Sequence, residues 1–219
     1  MDFVPLSFIS ELIHPPMAHS SRVLKELYME ISEAYGFTTF QLLAGGKGAQ
    51  LQTDEKKQLS IMPEKITYKD DMTGQTFEGF REEFGGLIHR IRERLRVPVF
   101  VSQVVVIRVL SPLHGATQSI DYVSEKFLRF GREEMSIFDR SASGVGLRLV
   151  FPPTRENASE FQIRIEPYFR DLRMLFLENN ARFFQPVQTR EQVEEKLQAA
   201  YDFLRDRVST FLESAGEVE

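Results

Sequence analysis

The sequence predicts an α+β protein. Two tandem β-α-β(3–4)-α units are expected to form one pseudo-two-fold antiparallel sheet with helices packed on one face. Three observations carry this prediction. The order strand, helix, meander, long helix occurs twice, once over residues 1–96 and again over 97–219. Both opening strands run into proline, Pro15-Pro16 in the first pass and Pro112 in the second, and proline has no N–H to give a ladder. Both passes close on a long stretch with apolar residues at helical spacing. Meanders with one polar and one apolar face pack helices against the apolar face, so the two units are expected to share one globular body.

The first pass opens with the strand FISELI, ended by His14-Pro15-Pro16. A helix is predicted from about Ala18 to Tyr35. Leu24, Leu27, Tyr28, Ile31 and Tyr35 make its apolar stripe, Ser20 or Ser21 its N-cap, and Gly36 its stop. The short segments FTTFQLL, GAQLQ, QLSIM and KITYK read as a meander. Gly45-Gly46-Lys47-Gly48 and Asp54-Glu55-Lys56-Lys57 are its turns. A second helix from about Thr76 to Arg96 carries Phe77, Phe80, Phe84, Leu87, Ile88, Ile91 and Leu95. Gly79, Gly85 and Gly86 each lower its propensity by about 1 kcal/mol relative to Ala, which points to close approach by a neighbour.

The second pass opens with VPVFVSQVVVIRVL, apolar on both faces and therefore predicted to be central and covered on both sides. A helix from about Thr117 to Phe130 carries Ile120, Val123, Phe127 and Leu128. GREEMSIFDRSASG is the candidate mobile loop. GLRLVF and FQIRIE alternate cleanly about the turn at 152–157. LRMLFLE is read as a further strand, Asn179-Asn180 as a tight turn, and ARFFQPV as a last short strand. The final helix is predicted from the T-x-x-Q capping box of Thr189 and Gln192, with a stripe of Val193, Leu197, Tyr201, Leu204, Val208 and Phe211.

Composition sets what chemistry is available. At 42% hydrophobic and 27% charged residues, the chain falls in the soluble globular class. It has no Cys, which removes disulfides, thiolate catalysis and Cys-ligated metals. No run of 18 apolar residues occurs, so no membrane span is expected. The acidic start lacks a basic n-region and argues against a signal peptide, so cytoplasmic location is the expectation. The net charge of −5 is unevenly spread: residues 81–190 hold 17 Lys+Arg against 13 Asp+Glu, nearly all of the cations arginine.

The candidate site residues follow from strand alternation. Arg148, Gln162, Arg164 and Glu166 fall on the polar face of their strands, with Arg173 joining them if the register allows. Arginine suits planar bidentate partners, so this face is a candidate for an anionic ligand or a partner protein; the alternative is an ordinary solvated face. His14 and His114 hold similar places in the two passes, each just after an opening strand, and are a possible pair across the pseudo-two-fold; the alternative is two unrelated surface histidines. His89 flanks a helix stripe and reads as a boundary residue. No nucleophile elbow, phosphate loop or dinucleotide fingerprint is present. Gly45-Gly46-Lys47-Gly48 lacks the phosphate-loop spacing, and Gly144-Val145-Gly146 leads into a strand. Arg90, Arg92, Arg94 and Arg96 spread round their helix without making a stripe. Most of the 19 Phe lie on core stripes; Phe183-Phe184 near a strand edge suits an oligomer interface.

These readings favour a non-enzymatic binding or interaction protein, self-associating or bound to a protein partner, with no cofactor and no metal. The alternative is a nucleic-acid-associated module using the arginine-rich middle.

The order of elements resembles the duplicated saddle of TATA-box-binding-protein-like folds. The run LQTDEKKQLSIMPEKITYKDD with the aromatic helix at Phe77, Phe80 and Phe84, the strand VSQVVVIRVLSP, and the closing helix over 189–214 also resemble a sporadically distributed family of uncharacterised bacterial proteins. The first resemblance implies an architecture. The second implies a similar layout and no catalytic residue.

Overall fold

A computed structural model describes residues 3–53, 56–113, 118–128, 137–140 and 144–216. Nine strands form one antiparallel sheet. They are β1 (Val4–Ile13), β2 (Thr39–Leu43), β3 (Gly48–Thr53), β4 (Lys57–Ile61), β5 (Lys65–Asp71), β6 (Ser102–Pro112), β7 (Leu147–Phe151), β8 (Ser159–Pro167) and β9 (Met174–Phe183). Across the sheet their order is β2-β3-β4-β5-β1-β6-β9-β8-β7. The two opening strands β1 and β6 are therefore neighbours at the centre, paired over Val4–Ile13 with a register shift between Pro5 and Ser7.

Helix α1 (Ser21–Tyr35) is capped by Ser20, whose side chain accepts from the Val23 N–H, and ends at Gly36 with φ 68°. The left-handed conformation needed there costs a residue with a Cβ and is free for glycine. Helix α2 (Phe77–Leu95) is capped by Thr76, and its whole predicted stripe is buried. Helix α3 (Ser119–Val123) passes into a π-helical turn over Ser124–Leu128. Helix α4 starts at Arg190 with the predicted capping box in place. It is α-helical over Arg190–Asp202, π-helical over Phe203–Val208 and α-helical again over Ser209–Gly216.

The helices lie on one face. Alternate strand residues on that face are buried: Phe8 and Leu12, Leu59 and Ile61, Ile66 and Tyr68, Val105 and Ile107, Ile163 and Ile165, Leu177 and Ala181. α2 and α4 pack together at the centre, where Phe77 stacks on Tyr201 at 4.1 Å and Arg81 donates to Gln198. At Gly85 a Cβ would run into the Glu194 side chain of α4, which is the close approach that its glycine signalled.

Three expectations need correction. Asn179-Asn180 is not a turn: β9 runs unbroken through it, paired with β6 on one side and β8 on the other. The Asn179 side chain is fully buried and donates to the Ala200 carbonyl at 2.7 Å, so a residue of turn propensity is held in a central strand by tertiary bonding. β6 is central, but the described elements cover it on one face only. Val104 and Val106 on its other face are half-buried by cross-strand neighbours. Phe211 does not continue the α4 stripe; it is 36% exposed, and Leu212 is buried instead. The π-helical stretch inserts an extra residue and rotates the following turn. The candidate mobile loop lies largely outside the described residues; its described part, 137–140, is an exposed turn.

Candidate functional site

The helix-free face of the sheet holds most of the predicted site residues. In the register of the strands, Arg148, Arg164, Glu178, Arg108, Ser7 and Asp71 form one row across β7, β8, β9, β6, β1 and β5. The next row contains Val150, Gln162, Asn180, Val106, Ile9, Lys69 and Gln58. A third contains Glu160, Arg182, Val104, Glu11, Thr67, Ser60 and Gln50. The face thus has three zones. The β2–β4 wing is uncharged and rich in Gln and Ser, the centre carries Ile9, Ile13, Val104 and Val106, and the β7–β9 wing is charged.

Most of its charges are paired; Arg148 is bound only to Gln162, and the exposed Arg182 meets no carboxylate among the described residues. Glu178, with only 10% of its side chain exposed, receives Arg108 at 2.7 Å and Arg164 at 3.5 Å. Arg164 also reaches Glu166 at 2.8 Å, with its guanidinium 5.9 Å from the Phe176 ring centroid. Arg148 donates to Gln162 at 2.6 Å, and Gln162 donates in turn to Glu160. On the other side of the centre, Lys65 and Thr67 both reach Glu11, and Lys69 meets Asp71 at 2.7 Å. Four of the five predicted residues therefore share this face. Arg173 does not: it sits in the exposed turn before β9, bound to Asp171 at 2.8 Å. Its hydrogen bonds hold the Asp171 carboxyl down to about 2.

The histidine expectation changes as well. His14 and His19 are not surface residues; they are 2% and 7% exposed, with ring centroids 6.3 Å apart. The His14 ring also meets Phe100 edge-on, and its Nδ1 lies 2.9 Å from the Pro15 carbonyl oxygen. That bond makes Nδ1 the protonated nitrogen. Burial, and then the neighbouring His14, push the His19 imidazole below its ordinary value. His114 lies outside the described residues. His89 is exposed and not at a buried boundary, 3.5 Å from Glu93.

Sequence reasoning missed a polar network between sheet and helices. Lys57 shares the inward face of β4 with Leu59 and Ile61, and Asp70 shares that of β5 with Ile66 and Tyr68. Charges in phase with an apolar strand face are the signal for a buried partner. That partner is Glu83 of α2, which accepts from Lys57 at 2.7 and 2.9 Å, from Tyr68 at 2.7 Å and from Gln75 at 2.7 Å. Burial pushes the Glu83 carboxyl up, but these donors outweigh it and hold the group below its usual value. Burial raises Asp70, against the opposing bond from Thr73, and burial beside Glu83 raises the Tyr68 hydroxyl.

A groove of about 770 Å³ lies where the β7–β8 turn meets the π-helical part of α4. Its floor is aromatic: Phe203 stacks on Phe161 at 4.2 Å and meets Phe151 edge-on at 5.3 Å. Thr154, Asn157, Asp202, Asp206 and Arg207 stand on its rim. Asp202 and Asp206 are both bound by Arg205. Among the described residues no group of three or more His, Asp or Glu is placed to hold a metal ion, and no helix is long and apolar enough to cross a membrane. No protein-family model and no curated protein matches the chain.

Proposed function

We propose that the chain is a protein-binding module made of two related units, 1–96 and 97–219, that recognises its partner through the helix-free face of the sheet. The observation that carries this is the distribution of side chains on that face. An aliphatic centre (Ile9, Ile13, Val104, Val106) stands between a Gln-rich wing and a wing of ordered ion pairs, with no described element across it. Protein interfaces share this anatomy, an apolar centre inside a polar rim enriched in arginine. Arg148, Gln162, Arg164 and Glu166 are assigned to the rim.

The two-unit reading is supported by the strand order. Moving outward from β1 and β6, each unit sets its meander in reverse chain order, β5-β4-β3-β2 on one side and β9-β8-β7 on the other. The closing helices α2 and α4 meet across the centre. This order supports a reading as the saddle-shaped layout that the sequence resembles, and fold analogy carries no ligand with it. A nucleic-acid partner is the weaker reading. Lys65, Lys69, Arg108 and Arg164 on this face each hold a carboxylate. Phosphate binding by these four would require breaking their pairs, which leaves only Arg148 and Arg182 outside an ion pair among the described strand residues of this face.

A photoreactive side chain at Val106, with Met29 on the exposed outer side of α1 as control, tests the proposal in cells that express the chain. A discrete protein adduct is expected at Val106 and none at Met29. The adduct should re-form from purified components and be lost on Ile9→Glu. Equal labelling at both positions, or no adduct at Val106, would overturn it.

A further inference from the structure

The sheet is finished differently at its two ends. Beyond the central β1–β6 pair, one wing has four strands and the other has three. β2 closes the longer wing with exposed, polar Thr39 and Gln41, and its Phe40 lies against Tyr28 of α1 at 5.1 Å. β7 closes the shorter wing with Val150 52% and Phe151 42% exposed. No described residue pairs along its outer edge. Such an edge offers unpaired N–H and C=O groups beside apolar side chains, a template for another strand. Edges are usually guarded by charge, proline or a bulge. The charged side chain of β7, Arg148, is bound to Gln162 at 2.6 Å on the neighbouring strand, and Pro152 comes only after the strand has ended.

We infer that β7 pairs antiparallel with β7 of a second copy of this chain, about a two-fold axis through Leu149, joining two nine-stranded sheets into one. The order Leu147-Arg148-Leu149-Val150-Phe151 selects both the partner and the register. Centred on Leu149, all five residues pair. Leu147 meets Phe151 of the other copy on the helix side, an aliphatic–aromatic pair of the kind that stabilises antiparallel strands. Arg148 meets Val150 of the other copy on the open side, where its aliphatic stem covers the exposed valine. A register centred on Arg148 sets like charges directly opposite each other, which is destabilising. One centred on Val150 brings Pro152, which has no N–H, into the ladder. The strand is therefore complementary to itself in one register, as an isologous contact requires. A five-residue ladder makes a small interface, so the dimer is reversible and depends on concentration. The inference uses the strand edge and does not depend on what the sheet face binds.

The absence of cysteine allows a clean test. Residues directly opposite in antiparallel strands have Cα atoms about 4.5–5.5 Å apart, within disulfide reach, whereas Cα atoms beyond about 7 Å cannot be bridged. Mild oxidation is therefore expected to cross-link Leu149→Cys with itself and to leave Arg148→Cys, a diagonal neighbour at about 7–8 Å, uncross-linked. Sedimentation of the unmodified chain up to hundreds of micromolar should show a monomer–dimer equilibrium. Val150→Lys, at an exposed site where folding is spared, should weaken it at least tenfold. A monomer at every concentration, equal cross-linking at 148 and 149, or a dimer indifferent to Val150→Lys would each overturn the inference. None of these outcomes bears on the Val106 cross-link.

Discussion

Replacing Lys57 with methionine tests whether the Glu83 network holds the first half of the sheet to its helices. Methionine keeps the length and apolar stem of lysine and removes only the ammonium. Glu83 would then keep Tyr68 and Gln75 as donors but lose its cation. Breaking a buried ion pair from one side costs about 3–5 kcal/mol. Here 21% of the Lys57 side chain and 16% of that of Glu83 remain exposed, so water softens the loss toward the lower end, about 3 kcal/mol. For a chain of this length that corresponds to a fall in Tm of about 6–12 °C. Urea denaturation should show a lower midpoint with an unchanged slope, since the folded state stays compact. The penalty must also depend on pH. The Glu83 carboxyl is held below its usual value in the intact network, so its contribution is present above the unfolded carboxylate pKa and is lost as pH falls through the folded one. The difference between Lys57→Met and the parent should therefore be full at pH 7 and shrink in the acid range. Lys57→Met with Glu83→Leu should recover part of the loss, because Glu83 is no longer an orphaned charge, although Asp70, 3.9 Å from Lys57, still loses its cation and Tyr68 and Gln75 lose their acceptor. A cost below about 1 kcal/mol at pH 7, the value of an exposed pair, would refute the reasoning.

Asn179→Leu should destabilise by about 0.5–1.5 kcal/mol, because it removes a buried hydrogen bond to the Ala200 carbonyl, which keeps its bond from the Phe203 N–H; urea denaturation measures it. Gly36→Ala should cost about 1–2 kcal/mol through the left-handed φ of 68° at the end of α1, with no steric component, since nothing lies within 4 Å of the added Cβ. The His19 imidazole is held below its ordinary value of 6.5, so its contribution is present above that pH and is lost as pH falls through the folded value. His19→Phe should flatten the decline in stability between about pH 7 and pH 5, read from thermal midpoints across that range.

The fold was legible where local signals and tertiary packing agree. The stripe of α2, the capping box of Thr189 and Gln192, the stop at Gly36 and the alternation of β7 and β8 each report one local requirement, and each is met in the structure. The misreadings share a cause: a residue whose neighbours in space overrule its neighbours in sequence. Asn179-Asn180 has turn propensity, but β9 lies between two strands, and a buried bond to α4 holds Asn179 extended. Val104 and Val106 imply cover on both faces, yet lateral packing in a wide sheet half-buries them with no described element above. His14 carries no mark in the sequence of its contact with His19 and Phe100, which arises where the proline turn folds back on β1. Of the candidate site, alternation located Arg148, Gln162, Arg164 and Glu166. Glu178 joins them across only 14 residues from Arg164, but Arg108 joins through a pairing with Glu178 that spans 70 residues, which no local pattern records.

Those pairings change what the arginine excess means. By composition, residues 81–190 read as a positive segment. In the strand register, Arg108 and Arg164 converge on Glu178, and Arg164 also holds Glu166. Charges that alternate over one or two strand spacings of about 4.8 Å cancel within a Debye length of about 8 Å at physiological salt. Such a face presents a short-range pattern and little long-range field. A pattern of this kind discriminates partners by how their own charges fall into register, and it contributes little to steering from a distance. Partner binding at the open face should therefore depend only shallowly on salt. Between 50 and 200 mM NaCl the affinity is expected to change by less than about tenfold, whereas a protein making 6–10 phosphate contacts loses about 10³–10⁵ over the same range. Titration calorimetry of the partner identified by the Val106 cross-link measures this slope. A steep one would require the pairs around Glu178 and Glu11 to open on binding, and would move the recognition chemistry from the aliphatic centre to the cations.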